Sequence, residues 1–96
     1  MKADAATLVD RVKAGLKDVI DPELGRDVVS LGLIYHLQAD AAGGVHISMT
    51  TTTLGCPAAG FLVEGVRYAA ASVAGVKTVD VELTYEPRWK PEMMSA

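Results

Sequence analysis

Cysteine is almost absent from this chain: Cys56 is the only one among 96 residues. One thiol cannot close an intrachain disulfide, and a secreted domain of this size ordinarily carries an even set of cysteines, so a reducing cytoplasm is the expected home. Long apolar runs are missing too. No stretch approaches the ~20 residues needed to cross a bilayer, and Lys2 is followed by Ala3-Asp4-Ala5-Ala6-Thr7 rather than by an apolar segment, which argues against a signal peptide or lipid anchor. A soluble protein with no membrane partner is expected. Clustered basic residues are lacking, the formal net charge is -3 and the pI is near 5.2, which together argue against a nucleic-acid partner. Aromatic residues are few, one Trp, three Tyr and one Phe, so the core must be built from Val, Leu, Ile and Ala. The length suits one domain spanning 1–96, with an ordered core over about 7–91.

What is present is periodic. Apolar residues at 8, 9, 12, 16, 19 and 20 keep the spacing of one helical face. Thr7 or Asp4 is the expected N-cap of this first helix, and Pro22 its expected terminator. Asp21 to Gly25 then reads as a turn carrying two carboxylates, Asp21 and Glu23. Alternation over Gly32 to Ala39 and again from Val45 to Thr50, separated by the Gly-containing segment Asp40 to Gly44, predicts an antiparallel hairpin. Beyond Thr50-Thr51-Thr52-Thr53-Leu54-Gly55-Cys56-Pro57 a second helix is expected, with Pro57 as its first residue and Cys56 as its N-cap. Gly60 and Gly65 within it suggest close helix-sheet approach. Val79, Val81, Leu83 and Tyr85 alternate with Asp80, Glu82, Thr84 and Glu86, predicting a strand with one wet face. The segment Pro87 to Pro91 cannot continue a ladder, and Trp89 has the apolar area to pin this tail to the domain. The order α-β-β-α-β predicts a two-layer α/β (α+β) fold, a small mixed sheet with two helices on one face.

Cys56 is the residue with the clearest chemistry. At a helix N-terminus, backbone N–H groups and the helix dipole stabilise a thiolate. The alternative is a small buried apolar residue. The threonine run and Gly55 place hydroxyls and accessible amides beside the sulfur, where they could cradle an anion or tune a metal, or form an ordinary strand end and turn. One thiolate cannot complete a metal site, because structural zinc and most iron-sulfur clusters take three or four protein ligands. A second copy, an external thiol or neighbouring carboxylates would have to supply the rest. His36 and His46 occupy corresponding non-core positions of the hairpin without metal-ligand spacing and read as solvated. Asp21 and Glu23 read most simply as turn formers, and Asp80, Glu82 and Glu86 as a solvated strand face.

Asp21-Pro22-Glu23-Leu24-Gly25, Val28 through Tyr35, Thr50 to Thr53 with Gly55-Cys56-Pro57, and Pro87-Arg88-Trp89-Lys90-Pro91 occur together and in order. In this the chain resembles the SufT and PaaD-like family of iron-sulfur cluster assembly proteins, the metal-sulfur cluster biosynthetic family, from the first helix to Met94. The resemblance implies a non-enzymatic carrier or adaptor that helps deliver clusters to recipient proteins. Cys56 matches the family's metal-binding cysteine, Thr50 to Thr53, Gly55 and Pro57 its supporting loop, and Asp21 and Glu23 its acidic turn. Leu54 stands where many relatives have Pro. A transient iron-sulfur cluster, shared between chains of a homodimer or with a partner, and contacts with assembly machinery and apo-clients are the implied cofactor and partners. Two other readings differ in class: an accessory protein of a multicomponent aromatic, phenylacetate-type oxygenase with Cys56 structural, and a thiol-dependent enzyme, which needs a base near Cys56.

Overall fold

The computed structural model describes residues 5–53, 55 and 57–94. Helix α1 (Ala5–Leu16) turns Leu8, Val12 and Leu16 into the core, the i, i+4, i+8 set that its sequence spacing demands. Thr7 lies inside the helix, not at its cap, and Asp4 falls outside the described residues. The helix also stops earlier than Pro22 would require. Lys17, Asp18 and Val19 donate to carbonyls three residues back, at 3.0 to 3.3 Å, tightening the last turn before the chain leaves the helix.

Val19 and Ile20 leave because they have β partners. Strand β1 (Ile20–Asp21) pairs antiparallel with β2 (Arg26–Asp27), and Val28 N–H donates to the Val19 carbonyl at 2.9 Å. This small ribbon is absent from the sequence reading, which placed Val19 and Ile20 on the helix. Pro22 therefore shapes the turn of a hairpin instead of ending α1.

The main sheet runs in the order β3-β4-β5. Strand β3 (Ile34–Ala39) pairs antiparallel with β4 (Gly44–Met49), and β4 pairs parallel with β5 (Thr78–Leu83). Helix α2 (Ala59–Ala71) makes the crossover between the two parallel strands. Val45, Ile47 and Met49 join Leu8, Val12 and Leu16 of α1 and Leu62, Val66 and Ala70 of α2 in one buried cluster. Both helices thus cover one face of a mixed sheet, as the alternating pattern predicts.

The other face is polar. The ladder sets His36 opposite Ser48 and Gln38 opposite His46, so the two histidines share this face but are staggered. His36 Nε2 lies 2.9 Å from Gln38 Oε1, and His46 Nδ1 lies 2.9 Å from Asp80 Oδ2. The final strand ends at Leu83, short of Tyr85 and Glu86, which belong to the connection that follows. A Cβ added at Gly60 would meet nothing within 4 Å, whereas one at Gly65 would touch a Val19 methyl at 3.4 Å. The close approach is therefore to the α1–β1 connection, not to the sheet.

Beyond β5 the chain folds back across the end of the sheet. Trp89 Nε1 donates to the Leu31 carbonyl at 2.6 Å, and the ring packs on the core. A register shift between Ile34 and His36 sets Tyr35 apart from the regular ladder. Its hydroxyl donates to the Pro87 carbonyl at 2.8 Å. Burial pushes that hydroxyl above its ordinary 10.0, with a hydrogen bond to Thr50 acting the other way, so Tyr35 remains a neutral donor. A 3-10 turn (Pro91–Met93) follows. Gly32 adopts φ +76, and a Cβ there would collide with the Met93 carbonyl. Among the described residues no helix is long and apolar enough to cross a membrane.

Two outcomes are expected in urea unfolding. Gly32→Ala should lose more than about 1 kcal/mol, from the left-handed backbone and the displaced tail together. Gly60→Ala should gain about 0.5 kcal/mol by restricting the unfolded chain. Asp27 adds a pH dependence. Burial raises its carboxyl, but hydrogen bonds from the Ser30 side chain and from the Ser30 and Val29 amides outweigh burial and hold it below 3.8. Its folded value is depressed, so its stabilisation is present above the unfolded value and lost as pH falls through the folded one. Unfolding curves below pH ~4 should therefore be flatter for Asp27→Asn than for wild type.

Candidate functional site

The site begins where the central strand ends. Thr50 and Thr51 follow β4 directly and are fully buried, which requires that their hydroxyls be satisfied inside the protein. Thr50 N–H donates to the Leu33 carbonyl at 2.9 Å, and its hydroxyl reaches the Thr51 carbonyl at 3.4 Å. The Thr51 hydroxyl donates to the Thr53 carbonyl at 2.7 Å. Its one proton being used, it accepts from the Tyr85 hydroxyl at 2.8 Å. These two threonines build the loop, and their hydroxyls are not directed at a ligand. Thr52 and Thr53 emerge towards solvent.

Gly55 follows at φ +67, exposed, a left-handed conformation that a side chain would strain. Leu54 and Cys56 lie outside the described residues. Pro57 and Ala58 form a turn, and α2 starts at Ala59 with Ala58 as its N-cap. The expected boundary is thus displaced by two residues: Ala58 has φ -86 and ψ 0, a bridge-region conformation that delays the helix. The cap position belongs to Ala58, and the argument that Cys56 itself caps the helix does not hold. Thr53, Gly55 and Pro57, the described residues around the cysteine, are all exposed.

Across from this loop lies the acidic turn. Asp21 is 1% exposed. Its Oδ1 accepts from the Glu23 amide at 2.7 Å and its carbonyl from the Gly25 amide at 2.8 Å, an Asx-type turn. Oδ2 is buried with no hydrogen-bond partner among the described residues. Glu23 is exposed, as is Leu24.

Three stretches far apart in sequence therefore meet. A groove of about 530 Å³ is lined by Glu23 and Leu24 of the acidic turn, Thr52 and Thr53 of the threonine loop, and Trp89, Pro91 and Met94 of the tail. Its walls are mostly apolar, with Glu23 and the two threonines as its polar groups. Arg26 reaches the tail, its guanidinium 4.0 Å from Met94 Sδ. His36 and His46 are partnered on the outer sheet face instead. No group of three or more His, Cys, Asp or Glu that could hold a metal occurs among the described residues.

Some of these participants escaped sequence reasoning. Tyr85 fits the strand alternation so well that its bond to Thr51 is invisible, and Leu24 and Met94 carry no chemical signal of their own. Trp89 is legible as an anchor but not as a groove wall. Tyr85→Phe should remove the donor to Thr51 and cost about 1 kcal/mol in unfolding free energy. Faster amide hydrogen exchange should accompany it at Thr52, Thr53 and Gly55, with the helices unaffected.

Residues 9–83 match the family model described as "Iron-sulfur cluster assembly protein". That span contains the acidic turn and the threonine loop and stops short of the tail. A protein of Porphyromonas gingivalis named "Fe-S protein maturation auxiliary factor" is 49% identical over 80 residues, covering 83% of this chain and 76% of the relative. The Bacillus subtilis "Fe-S protein maturation auxiliary factor YitW" is 41% identical over 88 residues, covering 92% and 86% respectively. Among solved structures, a domain of unknown function, DUF59, from Bacillus anthracis superposes with a TM-score of 0.90 at 39% identity, covering 95% of this chain and 87% of that one. With a family model spanning most of its length and relatives this similar over three quarters or more of theirs, the chain belongs to the iron-sulfur cluster assembly protein family.

Proposed function

We propose that this protein is a maturation factor for iron-sulfur proteins, a carrier or adaptor that holds a cluster transiently and helps deliver it to recipient proteins. The observation that carries this reading is the convergence of the acidic turn, the threonine loop and the tail on one groove, at the loop that bears the chain's single thiol. The names of its relatives support the same reading.

In this proposal the cluster is cargo and Cys56 supplies one thiolate to it. Iron-sulfur clusters are held mostly by cysteine thiolates, commonly four, so the remaining ligands come from outside this chain: a second copy, an external thiol or the client itself. One protein ligand makes for weak, exchangeable binding, which suits delivery better than storage. The groove beside the loop gives an apolar seat for the molecule that brings the other ligands, and Thr52 and Thr53 offer it hydroxyls. Asp21 keeps the acidic turn in shape through Oδ1, with Oδ2 buried behind it. The compartment that suits a lone reduced thiol is the cytoplasm.

Anaerobic reconstitution with iron and sulfide tests the ligand role. The wild-type chain should develop charge-transfer absorbance and restore activity to an apo-client such as an aconitase-type hydratase. Cys56→Ser should lose most of both while keeping the wild-type unfolding midpoint. Equal absorbance and equal client maturation in the two proteins would sink the assignment of Cys56.

A further inference from the structure

Of the five aromatic residues in this chain, two are left almost bare on one helix. Phe61 is 71% exposed and Tyr68 77% exposed, the highest values among the large apolar side chains of the described residues. Seven residues apart on α2, they lie on nearly the same line of the helix surface, about 10.5 Å from one another along the axis. Rings of this size dominate interface energetics, and neither contributes to the core of this fold.

Beside Tyr68 is a groove of about 460 Å³ between the two helices, lined among others by Val19, Gly65, Tyr68, Ala69, Ser72 and Val73. It is mostly apolar and large enough for an aromatic ring. Gly65 keeps it open, because the floor beneath that residue is the Val19 side chain and a Cβ would approach it to 3.4 Å. Ring and groove thus belong to the same helix, displaced from each other by about two turns.

We infer that α2 is the interface of a two-fold dimer of this chain, with Phe61 of each copy seated in the groove beside Tyr68 of the other. The symmetry follows from the spacing. An antiparallel pair of helices related by a two-fold axis between positions 64 and 65 brings position 61 of one copy onto position 68 of the other, so ring meets groove twice. The helices cross beside Gly65, where no side chain holds them apart. Glu64 and Arg67, beside the stripe, are paired within their own helix at 3.5 Å, and Asp18, the carboxylate that also lines the groove, is exposed to water. The four rings would remove on the order of 600 Å² from water. With the groove walls the contact approaches the roughly 1,000 Å² of the smallest specific interfaces. The dimer is therefore weak and concentration-dependent.

The same geometry bears on the site, and this step rests on the function proposed above. Ala59 begins α2, so the first residues of the two paired helices stand about 16 Å apart along the helix direction. The loops that precede them open at opposite ends of the dimer. A second copy then does not complete the Cys56 site, and the further ligands of the cluster come from the client or from an external thiol.

Sedimentation velocity on the metal-free full-length chain, from micromolar to near-millimolar concentration, tests the interface without any cluster. Wild type should pass from a 10.1 kDa species to twice that mass. Phe61→Asp and Tyr68→Asp should each lower the association constant at least about tenfold, with thermal unfolding of the monomer unchanged because both side chains are already exposed. A wild-type chain that stays monomeric throughout overturns the inference, as does a dimer that both variants leave intact. So does a monomer whose client maturation is abolished by Phe61→Asp, which would assign the face to another protein. A nitroxide on Cys56, the only thiol, provides the geometric arm: dipolar distances in the dimer should exceed about 16 Å, and a shorter one overturns the antiparallel arrangement. Failure of either arm leaves cluster absorbance untouched, so it is distinguishable from failure of the proposed function.

Discussion

Strand β4 is hydrogen-bonded on both sides, to β3 and to β5, and the two threonines that follow it are buried without a trace of solvent contact. Everything at the candidate site is referred to that anchor. A buried hydroxyl must find a partner or cost stability, and Thr51 finds two, the Thr53 carbonyl and the Tyr85 hydroxyl. The loop leaves the sheet fixed by these bonds, and Thr52 and Thr53 meet the acidic turn and the tail at the groove. Two bonds hold the tail: Trp89 donates to the Leu31 carbonyl, and Tyr35 donates to the carbonyl of Pro87. The groove's threonine wall, Thr52 and Thr53, follows directly from the end of that central strand.

Support and exposure are separated in this design. The residues that fix the loop are spent on internal bonds, and those that face the groove, Glu23, Leu24, Thr52 and Thr53, are supported from behind by Asp21 and Thr51. That division suits a factor whose cargo must leave: the scaffold is firm and the ligand set is incomplete. The chain's other exposed feature, the aromatic stripe of α2, lies on the helix that follows the loop.

Much of this was legible in the sequence. The period-two runs and the helical spacing of Leu8, Val12 and Leu16 dictated the two-layer arrangement, because each pattern leaves one apolar face that must be covered. The threonine run and Gly55 stood out beside Cys56, whereas Asp21 and Glu23 read as turn formers and became candidate site residues only through the family resemblance. What escaped has physical causes. Val19 and Ile20 satisfy the helical period and also favour strands, and only the tertiary pairing with Asp27 and Val28 decides between them. The start of α2 depended on the backbone angles of Ala58, which alanine does not announce. Tyr85 was hidden by a strand alternation that the structure ends at Leu83, and its hydrogen bond to Thr51 spans 34 residues. The exposure of Phe61 and Tyr68 was likewise unreadable, since an aromatic at helical spacing is more often core.

The claim at the centre of this account is that Cys56 is occupied when cargo is held and freed when a client takes it. Alkylation of this one thiol by iodoacetamide, followed by mass spectrometry, reads that occupancy directly. The account expects rapid labelling of the metal-free chain, protection after anaerobic cluster loading, and renewed labelling once an apo-client is added. A labelling rate that is the same in all three conditions would contradict it.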